Sequence, residues 1–488
     1  MKLNLAECFD QKVKQQPEHP LILGQKVPDR RSYAEFGEDI QLLAKKLKDA
    51  GVNAGNNIGL HYQSGRDYIA FVYAIWDCGA CVTPLPVELT VPEKQLIFQH
   101  IHLDAVISGV NLLDEIKMSI QPVAIPLTAQ AVLAKVDAVC KAPPQLAEIN
   151  AAFIRFTSGT TGDAKGVVLS HESIYERIQA ANQVLQINHN DRILWLLSMA
   201  YHFTVSIVAY LTFGASIILP KNSFGITLLT AAEQNGATLM YGSPIHYSLM
   251  THDNSGKTLP PELRLAIVTT TTLRPEIADT FYKRFGCVLN ETYGIIELGL
   301  PAINVSHSRE KQGSVGRMLS DYELQLDCPP GQSQGEIAIK GKGMLDAYYS
   351  PWKSRDSILQ QNNGWFKTGD LGRLDEDGFL YIVGRSKEMI SVGGMKFFPE
   401  EVESILENHP AIHAACVFGI KAQRLGEKAM AHLILAEGEN APDGDELKTY
   451  CTPFLASYKI PEQFQWVKHL KYTASGKLIR NAEKLLKP

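Results

Sequence analysis

The run Phe156-Thr157-Ser158-Gly159-Thr160-Thr161-Gly162-Asp163-Ala164-Lys165-Gly166 gathers the residue types that hold a polyphosphate, directly after an apolar strand-like stretch. Its glycines let backbone approach a ligand, its hydroxyls donate hydrogen bonds, and its lysine brings a compact positive charge. The segment is not the P-loop of kinases and GTPases. Ala164 precedes Lys165 and Gly166 follows it, where that motif has Gly, Lys and then Ser or Thr. Taken alone, the run is also consistent with a Thr- and Gly-rich surface loop. The eight cysteines show no repeated ligand spacing. Cys78 and Cys81 form one C-x-x-C inside the apolar run 68–84, with no second pair and no histidine close by. Buried packing explains that pair better than metal or redox chemistry.

Four further segments follow in order: Tyr293-Gly294-Ile295-Ile296-Glu297, Gly364-Trp365-Phe366-Lys367-Thr368-Gly369-Asp370, Gly384-Arg385-Ser386-Lys387-Glu388 and Thr473-Ala474-Ser475-Gly476-Lys477. With the 156–166 run, and in this order, they resemble the AMP-forming adenylating superfamily. That superfamily includes acyl-CoA and aryl-CoA ligases, peptide synthetase adenylation domains and beetle luciferases. The resemblance covers nearly the whole chain and is nearest in layout to a stand-alone acyl- or aryl-CoA ligase. It implies an ATP- and Mg²⁺-dependent enzyme that joins a carboxylic acid to AMP, releases pyrophosphate, and passes the acyl group to the thiol of coenzyme A. Two alternatives stay open: loading of the phosphopantetheine of an acyl or peptidyl carrier protein, and a nucleotide-binding protein with impaired catalysis.

The resemblance also implies roles, residue by residue. Thr157, Ser158, Gly159, Thr160, Thr161, Gly162 and Lys165 hold the β- and γ-phosphates, and Glu297 supplies a carboxylate to Mg²⁺, a hard cation suited to oxygen ligands. Tyr293 stacks on adenine, with Thr270, Thr271 and Glu291 nearby; Asp370 accepts from the ribose hydroxyls, and Arg385 lies beside it. Lys477 is the main catalyst of the first step, because attack of a carboxylate on the α-phosphorus develops negative charge on the bridging oxygens. His202 gates the acyl pocket, which Phe203, Tyr241, Ser243, Thr269, Gly294 and Ile295 complete. Lys387 is the hinge about which a small domain turns between the two steps, and Gly393 and Gly394 border the thiol channel.

Several positions depart from the superfamily's pattern. Ile296 stands where a threonine hydroxyl usually meets the α-phosphate, Glu291 replaces an Asn or Gln near the adenine amine, and Ala164 replaces a common proline. Thr269 to Thr272 replace a loop usually rich in Gly, Ala and Pro. No Asp lies at or beside His202, so nothing there meets the ammonium of an α-amino acid. An aryl or acyl acid is the expected substrate.

These residues need a frame. Leu5, Phe9 and Val13 recur at helical spacing, and Ser32 with Glu35 makes a capping box ahead of Phe36, Ile40, Leu43 and Leu47. Up to about residue 300, short apolar runs (152–156, 215–219, 238–241, 265–268) alternate with helical patterns (173–185, 275–285), which predicts mainly parallel α/β sheets. After Gly313 shorter strand-like pieces (335–340, 379–383) predict a β subdomain. Past Gly384 come a helix opening at Pro399, strands at 414–418 and 429–435 and a helix near 445–454. The expected fold class is therefore α/β: a large N-terminal domain of doubly wound parallel sheets with a distorted β-barrel subdomain (1–384), and a small mobile α+β C-terminal domain (385–488).

At 488 residues the chain exceeds the ~250–300 residues at which one core stops growing, so an interdomain cleft is expected. A net charge of -5 with scattered Lys and Arg gives no basic footprint for nucleic acid. No apolar stretch reaches bilayer-spanning length, and the amino terminus lacks the core of a signal peptide. The expectation is a cytoplasmic monomer or homodimer acting on a small-molecule carboxylic acid.

Overall fold

Local sequence sets the first elements. In this computed structural model, which describes residues 2–24, 30–157, 165–271, 273–392, 395–422, 426–473 and 478–486, the first helix is Leu5–Gln15. Its Asn4 cap accepts from the amide of Ala6. Helix Tyr33–Asp49 follows the Ser32–Glu35 capping box and buries Phe36, Ile40, Leu43 and Leu47 along one face. The chain folds into two compact units: Met1–Glu323 with Lys340–Phe366, and Leu324–Ile339 with Lys367–Pro488.

The first unit contains two nine-stranded sheets. In one, Pro20–Leu23, Ser216–Ile218, Arg192–Trp195, Leu239–Gly242, Leu265–Val268 and Leu289–Ile295 run parallel, side by side in that order. Gly299–Ile303 and Arg317–Met318 extend one edge antiparallel, and Arg31–Ser32 the other. Helices Gly225–Asn235, Pro244–Thr251 and Pro275–Phe285 bury Leu228, Tyr247, Ala278 and Phe281 in one cluster with Leu194, Met240 and Ala266 of the strands. The strands are near-continuous apolar runs because the sheet's interior is covered.

In the second sheet Ala151–Thr157, Cys81–Pro84, Asn57–His61 and Ala105–Gly109 form the parallel centre, and Lys165–Ser170 turns back antiparallel on Ala151–Thr157. Both sheets thus have parallel centres with antiparallel edges. Cys78 and Cys81 are free and buried.

The second unit carries a four-stranded sheet, Tyr322–Asp327, Gly335–Gly341, Phe366–Leu374 and Leu380–Arg385, and a second sheet built on the long hairpin Ile412–Ala422 with Gly426–Leu435. Helices Pro399–Glu407 and Gly444–Cys451 pack Val402, Leu406 and Leu447 against Val417, Ala431 and Leu433. Sequence texture groups the four-stranded sheet with 1–384, whereas in the folded chain most of it belongs to the same unit as the C-terminal residues. Only a short turn separates Leu380–Arg385 from Ile390–Val392. Gly384 is so close to the Phe398 ring that a Cβ there would come within 2.6 Å of it.

Candidate active site

The phosphate-type run begins as a hairpin: Phe156 pairs with Gly166 and Thr157 with Lys165. Ser158, Gly159, Thr160, Thr161 and Gly162 lie outside the described residues, as does the Lys165 side chain. Gly166 is there for packing: a Cβ would stand 2.6 Å from Ile101 and 2.9 Å from Tyr349. Two residues before Thr157, and on its face by strand alternation, Arg155 donates from Nη1 to the Tyr201 carbonyl at 2.7 Å. Its guanidinium carbon lies 5.2 Å from the Tyr201 ring centroid. Its Nε is buried without a hydrogen-bond partner among the described residues. Burial lowers the Arg155 pKa, with the charge of Glu297 working against that shift.

The end of Leu289–Ile295 carries Tyr293, Gly294 and Ile295, and the turn after it Glu297. Tyr293 is buried and Gly294 exposed. Gly294 is required by close approach: a Cβ would meet the Gly299 carbonyl oxygen at 2.5 Å. Arg177, 1% exposed, donates to the carbonyls of Ile296 (3.0 Å) and Gly343 (2.9 and 2.6 Å). Burial pushes this guanidinium down to about 10. The amide of Leu345 donates to the Glu297 carbonyl at 2.7 Å, and the Tyr348 hydroxyl donates to the Glu297 carboxylate at 3.2 Å. Backbone and side chain of Glu297 are thus both fixed. Among the described residues no group of three or more His, Cys, Asp or Glu is gathered as for a metal. One half-buried carboxylate suits Mg²⁺, which takes one or two carboxylates and completes its shell with water and substrate phosphates.

Glu291, on the same strand face as Tyr293, is 8% exposed. Its Oε2 accepts from the Gly313 amide at 2.9 Å and its Oε1, at the long distance of 3.4 Å, from Leu273. The carboxylate therefore ties together the loops on either side of its strand. Burial pushes its pKa up to about 7 against the pull of those two bonds. Thr269 donates its amide to the Gly242 carbonyl at 3.0 Å. Thr270 has φ of 83°, a left-handed backbone that a β-branched residue rarely adopts. Thr271 is exposed.

Around the expected acyl pocket, adjacent strands set Trp195 against Tyr241. The rings stack at 5.4 Å between centroids, and His202 meets Trp195 edge-on at 6.3 Å. The Trp195 Nε1 is buried with no hydrogen-bond partner among the described residues. Phe203, 1% exposed, packs instead among Tyr68, Tyr73 and Trp76, deep in the core. The Ser243 hydroxyl lies 2.8 Å from His246 Nδ1 at the start of helix Pro244–Thr251, so capping accounts for it.

In the second unit Asp370 and Arg385 face each other across paired strands, with Arg385 Nε 2.9 Å from Asp370 Oδ1. Asp370 is 3% exposed. Lys387 is exposed in the turn after Leu380–Arg385. Gly393, Gly394 and Lys477 lie outside the described residues. The chain ends that flank Lys477 are described: Tyr472 and Leu478 form an antiparallel bridge, and the Ile479 amide donates to the Lys471 carbonyl at 2.9 Å. Arg480 then binds Glu403 through two nitrogens (3.0 and 2.7 Å), Glu388 at 2.7 Å and Glu400 at 3.1 Å.

With that geometry in place, comparison with known sequences decides the family. The profile of the AMP-binding enzyme family matches residues 9–349, and that of the AMP-binding enzyme C-terminal domain matches 401–477. The chain belongs to the AMP-binding enzyme family. It is an enzyme of the AMP-forming acyl-CoA synthetase type. A 2-succinylbenzoate–CoA ligase of Geobacillus kaustophilus is 30% identical over 94% of this chain and 93% of its own length. A sulfoacetate–CoA ligase of Cupriavidus necator is 26% identical over 98% of this chain and 96% of its own. The solved o-succinylbenzoate CoA synthetase of Bacillus subtilis with its acyl-adenylate intermediate superposes with a TM-score of 0.83 at 24% identity, covering 99% of this chain and 98% of that one.

Sequence reasoning about this AMP-binding enzyme overlooked Arg155, Arg177, Trp195 and Tyr348. Arg155 did leave a signal, a lone charge inside the apolar strand Ala151–Thr157. Arg177 and Tyr348 left none, because their partners lie far away in sequence. Among the described residues no helix is long and apolar enough to cross a membrane.

Proposed function

We propose that this enzyme activates a carboxylic acid with ATP and transfers the acyl group to coenzyme A. In the first step a carboxylate oxygen attacks the α-phosphorus in line; the new C–O–P linkage forms as the bond to pyrophosphate breaks. In the second step the thiol sulfur attacks the acyl carbonyl, AMP leaves, and the thiol proton is lost to solvent or base. Thr157 and the 158–165 residues hold the β- and γ-phosphates, Tyr293 stacks on the base, and Asp370, oriented by Arg385, accepts from the ribose. Glu297 would hold Mg²⁺, which when bound neutralises phosphate charge. Lys477 stabilises the charge that develops at the bridging oxygens.

The observation that carries this reading is the Tyr293–Glu297 turn. Arg177 and the Leu345 amide grip its backbone, and Tyr348 aims its carboxylate, as a preorganised nucleotide site requires. We further propose that Lys387 is the hinge of a mobile domain 385–488, and that Gly393 and Gly394 border the path of the thiol. The free thiols of the described cysteines support a reducing, cytoplasmic setting.

For the acid, the relatives named above act on sulfoacetate and 2-succinylbenzoate, each of which carries a second anionic group. The test is ATP–pyrophosphate exchange and AMP release over aromatic, fatty, short and dianionic acids, with coenzyme A and a set of carrier proteins as competing acceptors. Acid-dependent AMP and a CoA thioester are expected. Acyl transfer to a carrier protein alone would replace coenzyme A as acceptor, and ATP that never yields AMP with any acid overturns the proposal.

A further inference from the structure

We infer that Arg155 is an anion-binding residue of the active site, one that takes an anionic oxygen of a bound reactant. The inference rests on the nucleotide reading above and extends it to a residue outside the motifs. Arg155 projects from Ala151–Thr157 on the face of Thr157. It touches Tyr201, the neighbour of His202, through both carbonyl and ring. It also lies within the electrostatic reach of Glu297. The strand end at Thr157, the neighbour of the acyl gate and the metal carboxylate are therefore all near one guanidinium. Among the described residues no carboxylate forms an ion pair with it, and its Nε–H is buried without an acceptor.

A half-buried cation whose partners among the described residues are one carbonyl and one ring face is stabilised when something anionic joins it. A purely structural brace of Tyr201 would be served by an uncharged donor. The site also lacks one polar contact, because Ile296 presents no hydroxyl, and a guanidinium with a free N–H supplies what a reacting anion needs there. The shared ligand chemistry is an oxyanion. Its source is either a nucleotide phosphate or a second acidic group on the acid, and the two are separated by experiment.

The full chain, as wild type, Arg155→Met and Arg155→Lys, is titrated calorimetrically with adenosine and AMP, and then, saturated with AMP, with hexanoate and adipate. If the phosphate is the ligand, Arg155→Met weakens AMP about 10- to 100-fold and leaves adenosine unchanged. If the acid's second group is the ligand, adipate weakens by that factor while AMP and hexanoate do not. In either case Arg155→Lys recovers part of the loss, and the unliganded Met variant melts no lower than wild type, since it has shed an uncompensated cation. Equal weakening of every ligand, no weakening of any, or a lower melting point for the unliganded Met variant overturns the inference. A wild-type chain without affinity for AMP overturns the nucleotide reading as well, whereas a wild-type chain that binds AMP beside a Met variant that binds both AMP and adipate equally overturns the inference alone.

Discussion

Arg480→Met removes a cation that three carboxylates share. Glu403, with a side chain 8% exposed, receives two of its hydrogen bonds, Glu388 one, and Glu400 a close ion pair. Breaking a buried ion pair from one side costs about 3–5 kcal/mol, because a charge is left behind unpaired. Two features put the loss near the lower bound. Glu403 keeps the Val417 amide at 2.8 Å, and burial already pushes Glu400 up to about 7. The Arg480 charge is what pulls Glu400 down, so in the variant that carboxyl is largely neutral at pH 7. The expected loss is therefore about 3 kcal/mol, equivalent to roughly 100-fold faster amide exchange in the second unit. Hydrogen exchange of peptides covering 412–422 and 478–486, read by mass spectrometry on the full chain, measures it. The sign with pH is fixed. Glu400, raised in the folded state, binds a proton that the unfolded chain does not, so the variant recovers stability as pH falls from 8 towards 5. Acceleration below threefold, or a deficit that grows on acidification, refutes the argument.

Glu291→Gln removes a group whose folded pKa is raised to about 7. In wild type its share of stability is fully present below the ordinary carboxyl pKa and is lost as pH rises to about 7, on the order of 2–3 kcal/mol. The variant's stability, followed by denaturant titration at several pH values, falls less steeply between pH 4.5 and 7; an unchanged slope counts against the assignment. Thr270→Gly relieves a β-branched residue held at φ of 83° and stabilises the chain by about 1 kcal/mol, seen as a higher melting temperature; a lower one means the Thr270 side chain makes contacts that outweigh the strain. Lys477→Ala slows pyrophosphate exchange by on the order of 10²-fold while thioester formation from supplied acyl-adenylate largely survives; wild-type exchange removes Lys477 from catalysis. Lys387→Pro impairs one half-reaction more than the other, and equal losses or none argue against a hinge.

What the sequence made legible is what acts over short range. The Ser32–Glu35 box spans three residues, and helix Tyr33–Asp49 begins where it says. Pro399 opens Pro399–Glu407 as the first-turn rule requires, and the apolar runs near 152–156, 238–241 and 265–268 are strands. The phosphate run and the Tyr293–Glu297 turn stood out because each compresses its chemistry into one short stretch of chain.

The supports did not stand out, because each is made by residues that have no local pattern in common. Arg177 sits mid-helix and meets carbonyls 119 and 166 residues further on. Arg480 closes on a carboxylate 77 residues back. Such pairs exist only once distant segments have folded and packed, so no window of sequence contains both halves. The same asymmetry explains why Phe203 and Ser243, next to motif residues in sequence, turn to the core and to a helix cap. Proximity along the chain gives the reacting groups, and the fold chooses which neighbours face them. Arg155 is the informative intermediate case. Its charge inside an apolar strand is visible locally, but that its Nε finds no acceptor among the described residues becomes visible only in the folded chain. In the free enzyme the rest of the fold must offset the cost of such a charge, and an anionic reactant that pairs with it recovers that cost on binding, which is what the proposed role of Arg155 requires.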